Sequence, residues 1–81
     1  MTQADKRLEK MRRNPGNVRI EEVDAVANRL DIKKRNGGSH DIYYRDGCVM
    51  QVGIPRHKGP VREIYVRKFL ELVDWEVEDG D

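Results

Sequence analysis

Two histidines, His40 and His57, are the side chains of this 81-residue chain whose ordinary pKa best suits proton transfer near neutral pH. His40 follows Gly37-Gly38-Ser39, so the backbone beside it can approach a ligand without obstruction by Cβ atoms. His57 lies between Arg56 and Lys58 in a basic run after Pro55. Imidazoles among cations suit cleavage of RNA by its own 2′-hydroxyl. That reaction needs a base for the hydroxyl, charge stabilisation for the scissile phosphate and an acid for the leaving oxygen. His40 is the candidate for the first or third task. Lys33, Lys34, Arg35, Arg45 and the Arg56-His57-Lys58 run are the candidates for the second, as RNA-binding residues. From spacing alone, a surface histidine beside glycines is equally compatible with an idle or structural residue. His57 reads more readily as a phosphate contact, or as uninvolved, than as a second catalyst.

Other chemistries find less support. Two histidines, one cysteine and carboxylates at no ligand-like spacing do not make a metal site, so neither metal nor other cofactor is expected. Gly37-Gly38-Ser39 lacks the spacing of a phosphate-binding loop and leads into a strand rather than a helix. Tyr43 and Tyr44 invite a base-stacking reading, with Tyr43 the better candidate for the core and Tyr44 for the surface. Cys48 stands alone, which excludes an intramolecular disulfide and fits a reducing cytosol. No apolar run approaches the roughly 20 residues of a membrane span, and no signal-peptide stretch opens the chain. A cytoplasmic protein without a membrane partner is the expectation.

The formal charge of +1 conceals an asymmetry. All 16 Lys and Arg lie at or before Lys68, whereas Glu71, Asp74, Glu76, Glu78, Asp79 and Asp81 follow it, leaving residues 1–70 at +7. A basic body attracts phosphate backbones through counterion release. The same charge also serves solubility, and composition does not separate the two.

Elements that would position these residues follow from periodicity. Ala4, Leu8 and Met11 mark a short helix ended by Asn14-Pro15-Gly16-Asn17. Ile20, Val23, Val26, Ala27 and Leu30 form one stripe of a second, with Glu21, Glu22 and Asp24 near its positive end. Ile32 to Arg35 reads as a short strand, Asn36-Gly37-Gly38 as a turn, and Ser39 to Arg45 as a second strand. Asp46-Gly47 signals a two-residue type I′ hairpin, which would set Tyr43 opposite Met50 and His40 opposite Gly53. Tyr43, Cys48, Met50, Val52 and Ile54 would then face the helices, and His40, Ile42, Tyr44, Val49 and Gln51 would face outward, whereas a three-residue loop would reverse the parity. Asp41 falls on the inner face. A closing helix carries Arg62, Val66, Phe69, Leu70 and Val73 on one side, with Pro60 near its start and Trp75 covering the core's edge.

The expected fold is α+β, a double-stranded-RNA-binding-type α-β-β-β-α sandwich with a three-stranded antiparallel sheet and a short extra N-terminal helix. The expected organisation is an N-terminal helical extension over 1–16, the α+β domain over 17–75 and an acidic, disordered tail over 76–81.

Three runs together carry a family resemblance: Gly37-Gly38-Ser39-His40-Asp41-Ile42-Tyr43-Tyr44-Arg45, Val52-Gly53-Ile54-Pro55-Arg56-His57-Lys58-Gly59, and Ile64-Tyr65-Val66-Arg67-Lys68-Phe69-Leu70. In this order they resemble the HicA family of toxin mRNA interferases. Leu8 to Pro15 and Val18 to Val23 look like the N-terminal extension of a longer-chain subgroup, so the likeness spans about residues 6–73. The resemblance implies a toxin of a type II toxin-antitoxin pair, an endoribonuclease that cleaves mRNA without a metal and is neutralised by a HicB-type antitoxin. It implies that His40, in the glycine-serine-histidine signature, is essential for cleavage, with Gly38 and Ser39 shaping the strand entry. Two departures stand out: Asp41 occupies the place of a second histidine found in many members, and the Arg45-Asp46-Gly47 turn is shorter than their loop. Asp41 could orient His40, raise its pKa or repel phosphate. A noncatalytic RNA-binding domain of the same fold is the alternative, and a protein-interaction module with a basic face for an acidic partner is the third reading.

Overall fold

The structure, a computed structural model, describes residues 3–56 and 59–75, with the side chains of residues 3–5 excepted. Helix α1, Gln3–Arg13, stops at the Asn14-Pro15 turn, where the Asn17 N–H returns to the Asn14 carbonyl at 3.1 Å. Helix α2, Ile20–Arg29, starts with half of a capping box: Glu22 Oε2 accepts the Arg19 N–H at 2.9 Å. The other carboxylate oxygen of Glu22 accepts Lys10 Nζ at 2.8 Å, so one side chain joins α1 to the start of α2. At the far end Asp31 takes the left-handed conformation, φ 58°, and the Ile32 N–H closes back on the Ala27 carbonyl at 2.8 Å. This is the 6→1 closure of a Schellman motif, with aspartate where glycine is usual.

Strands β1 (Lys33–Gly37), β2 (His40–Tyr44) and β3 (Gln51–Pro55) form an antiparallel sheet in that order. The first hairpin turns at Gly38-Ser39, with Gly38 at φ +80° and its N–H donated to Asn36 Oδ1 at 2.9 Å. Positive φ at the first central residue alone is the type II′ pattern, which glycine adopts without strain.

The second hairpin departs from the expected register. Tyr43 pairs with Val52 rather than Met50, and His40 with Pro55 rather than Gly53. A turn does form at Asp46-Gly47, closed by the Cys48 N–H on the Arg45 carbonyl at 3.2 Å, but only Gly47 has positive φ. A type I′ turn needs positive φ at both central residues; without it the strand ends splay and residues 45–50 become a connection. A shift of two residues preserves alternation, so each side chain keeps the face expected of it.

Below the sheet, Met11, Val18, Val23, Val26, Tyr43, Ile54, Val66, Phe69 and Leu72 are fully enclosed. Tyr43 sits at the centre, edge-on to Phe69 at 5.5 Å between ring centroids, with its hydroxyl donated to Asp24 Oδ1 at 2.6 Å. Helix α3, Glu63–Asp74, buries Val66, Phe69 and Leu72. Its register differs from the expected stripe: Leu70 and Val73 lie at the flanks and Arg62 precedes the helix as its N-cap. Leu30, expected in the α2 stripe, is the exposed C-cap residue. Trp75 likewise caps α3 and remains 40 % exposed. α1 shares the same core through Met11, and Arg12 grips Asp74 of α3 with two hydrogen bonds of 2.8 and 2.6 Å. The expected tail, 76–81, lies outside the described residues. Among the described residues no helix is long and apolar enough to cross a membrane.

Candidate nucleic-acid interface

All three helices contribute their apolar sides to one core beneath the sheet, whose other face is formed by the alternate residues of each strand. The register arranges that outer face in three rows across β1, β2 and β3: Gly37, His40 and Pro55; Arg35, Ile42 and Gly53; Lys33, Tyr44 and Gln51. No carboxylate stands among these nine positions. His40 and Arg35 are diagonal neighbours on this grid, a relation that places Cα atoms about 7–8 Å apart.

The glycines have two distinct effects. A Cβ at Gly37 would come within 2.8 Å of Ile42 Cδ1, so glycine allows Ile42 to lean over β1. At Gly53 the nearest atom to such a Cβ is His40 Cδ2 at 3.9 Å, so the surface beside the imidazole is low and open. His40 itself is exposed at the start of β2, and Ser39 Oγ lies 3.1 Å from its Nδ1. If Nδ1–H donates to the hydroxyl, Nε2 carries the lone pair of a base; if the hydroxyl donates, Nε2 carries the proton of an acid. Either tautomer leaves Nε2 without a partner among the described residues.

Of the expected RNA-binding cations, two share the face of His40. Arg35 crosses β2 to donate to Gln51 Oε1 at 3.2 Å, a neutral acceptor that leaves its charge uncompensated there. Lys33 pairs with Asp46 at 2.6 Å, and that hydrogen bond raises its pKa. The pair is exposed at both ends and is weak enough in water to be exchanged for a phosphate.

The other described cations are placed elsewhere. Lys34 turns to the helix side and meets Asp24 at 3.2 Å. Arg45 donates to the α3 end, with Nη1 3.1, 3.3 and 2.9 Å from the Leu72, Val73 and Trp75 carbonyls. α3 has no basic residue in its last turn, and Arg45 supplies the missing cation from the connection. Arg56 turns inward and donates to the carboxylate of Asp41, a bond that raises the pKa of the guanidinium. His57 and Lys58 lie outside the described residues.

Asp41 is 3 % exposed and is the one buried charged residue among those described. It faces away from His40, so orientation of the imidazole and repulsion of phosphate on the outer face are both excluded as direct contacts. Its pairing was legible in principle: an inward carboxylate demands a cation, and the diagonal neighbour Arg56 is the nearest one along β3. The part of Gln51 in holding Arg35 left no sequence signal beyond a shared outward parity. The basic Lys33-Lys34-Arg35 run has a second use, since charged side chains on an exposed edge strand discourage pairing with another sheet.

Among the described residues no three histidine, cysteine or carboxylate side chains converge as a metal site. Compared with protein-family models, curated proteins and solved structures, the chain matches none.

Proposed function

We propose that this chain is an endoribonuclease that cleaves single-stranded mRNA without a metal, acting as the toxin of a HicA-like pair in the cytoplasm and neutralised by a HicB-type antitoxin. The observation that carries the nuclease reading is the placement of His40 and Arg35 as diagonal neighbours on an open face whose nine outward strand positions include no carboxylate. The toxin, its antitoxin, its location and the double-stranded-RNA-binding type of the fold rest on the resemblance of the Gly38-Ser39-His40 signature and the two runs after it.

In this reading His40 Nε2 takes the proton of a 2′-hydroxyl while Ser39 Oγ accepts Nδ1–H and fixes the tautomer. The 2′-oxygen bonds to phosphorus, the bond to the 5′-oxygen breaks, and that oxygen takes a proton from solvent water while His40 returns its own to solvent, giving a 2′,3′-cyclic phosphate and a 5′-hydroxyl. The Arg35 guanidinium, held at Gln51 in the Tyr44 row, has to turn back towards His40 to meet the phosphate, whose growing negative charge it then stabilises. Arg35 exchanges the neutral Gln51 oxygen for a charged one.

The noncatalytic RNA-binding reading has one observation in its favour: the nine outward positions include no second imidazole or carboxylate to protonate the leaving oxygen. Cleavage of a labelled single-stranded RNA in EDTA by the protein and by His40→Ala, both verified as folded by circular dichroism, separates the two. Cleavage by the native chain alone supports the nuclease. Equal binding by both proteins with no cleavage by either overturns it in favour of the binding module.

A further inference from the structure

The sequence places two tyrosines side by side, and the fold divides them. Tyr43 is consumed by the core, edge-on to Phe69 and hydrogen-bonded to Asp24. Tyr44 is the aromatic residue of the outer face, half-buried in the row between Lys33 and Gln51. It stands four residues along β2 from His40, about 13 Å at the usual strand rise. Between them the surface is low on the β3 side, because Gly53 has no side chain. Cations stand on both sides of Tyr44: Lys33 pairs with it across β1, and the guanidinium of Arg35 is bonded to Gln51, its partner across β3. An apolar ring between two cations, of which Lys33 is paired with the exposed Asp46 carboxylate and Arg35 only with a neutral amide oxygen, matches the alternation of base and phosphate along a nucleic-acid strand. Aromatic platforms of this kind stack single-stranded bases, whose π-faces are open, whereas the bases of a duplex already stack on one another.

We propose that single-stranded RNA crosses the open sheet from His40 towards Tyr44, with a base outside the cleaved linkage stacked on the Tyr44 ring and the phosphates against Arg35 and Lys33. The proposal rests on the reading of this face as an RNA site, and it adds a recognition position away from the reacting atoms. An acidic protein segment on the same face is the competing occupant.

The test is an abasic scan. Single-stranded oligonucleotides with one base removed at successive positions are titrated by fluorescence anisotropy into His40→Ala, which holds the RNA intact, and into the same protein carrying Tyr44→Ala, Tyr44→Leu or Tyr44→Phe. Thermal melts establish that each variant is folded, and Tyr44→Leu retains side-chain bulk should the alanine variant unfold. We expect Tyr44→Ala and Tyr44→Leu to weaken binding about 5- to 150-fold, and Tyr44→Phe to bind like the parent. One abasic position should cost a similar factor in the Tyr44 protein and nothing in the alanine or leucine variant. An abasic cost that is the same with and without the ring overturns the stacking proposal, even if the native chain cleaves RNA. Coupling between ring and base without cleavage by the native chain sustains the proposal and removes only the nuclease. Failure of every RNA to bind at moderate salt overturns both.

Discussion

Arg56 pairs with the buried carboxylate of Asp41 on the side of the sheet opposite His40. Its neighbour in the chain, Pro55, pairs with His40 itself, and the Arg56 N–H continues the ladder to the Ser39 carbonyl at 3.1 Å. A residue that composition marks as a phosphate contact is thus an internal counterion that anchors the chain next to the histidine.

Removal of the cation alone should therefore be costly. Arg56→Gln leaves a buried carboxylate without its counterion and should destabilise the fold, whereas the double variant Asp41→Asn/Arg56→Gln should recover part of that loss. Urea unfolding of the two single variants and the double variant measures the coupling. Additive losses would show that the pair is not an interacting unit.

Salt dependence should separate the cations by position. Arg35→Ala should lower the slope of log K against log salt for single-stranded RNA by about one unit, because it removes one phosphate contact. Arg45→Gln, which acts on the α3 carbonyls, should leave the slope unchanged while lowering stability. Equal slopes for native and Arg35→Ala proteins would remove Arg35 from the interface.

At the end of α2, Asp31 combines two local penalties: a left-handed backbone and a negative charge near the carbonyl end of a helix. Asp31→Gly relieves both and should raise stability by about 1 kcal/mol, a gain opposed in part by the greater freedom of glycine in the unfolded chain. Thermal unfolding checks this, and a lower midpoint than the native protein would contradict it.

Stability should fall at both ends of the pH scale. The Arg12 hydrogen bond holds the Asp74 carboxyl below its ordinary pKa. For Glu22, burial pushes upward but is outweighed by the bonds from Lys10 and the Arg19 N–H, so its pKa is lowered too. Folded pKa values below the unfolded ones mean that the stabilisation is present above about pH 4 and is lost as acid protonates both groups. Tyr43 has the opposite sign: burial, then the bond to Asp24, raises its pKa far above the ordinary value. That stabilisation is complete below about pH 10 and declines as ionisation favours the unfolded chain. Chemical denaturation across pH should show Arg12→Ala with a shallower acid limb and Tyr43→Phe with a shallower alkaline one. Limbs identical to those of the native protein would mean that other groups set the pH limits.

The sequence by itself determined the succession of helices and strands and the alternation that pairs Tyr43, Val52 and Ile54 on one face and His40, Ile42, Tyr44 and Gln51 on the other, while which face was buried depended on a connection of even length. Each of these follows from local turn chemistry and from periods of 3.6 or two residues, which neighbours in the chain largely dictate. Tertiary structure alone decided the two-residue shift of the second hairpin, in whose connection Arg45 donates to the carbonyls at the end of α3. It also decided which cations remain on the outer face. Arg45, Arg56 and Lys34 differ from Arg35 in their distant partners, the α3 carbonyls, Asp41 and Asp24, and charge interactions are governed by separation in space rather than along the chain.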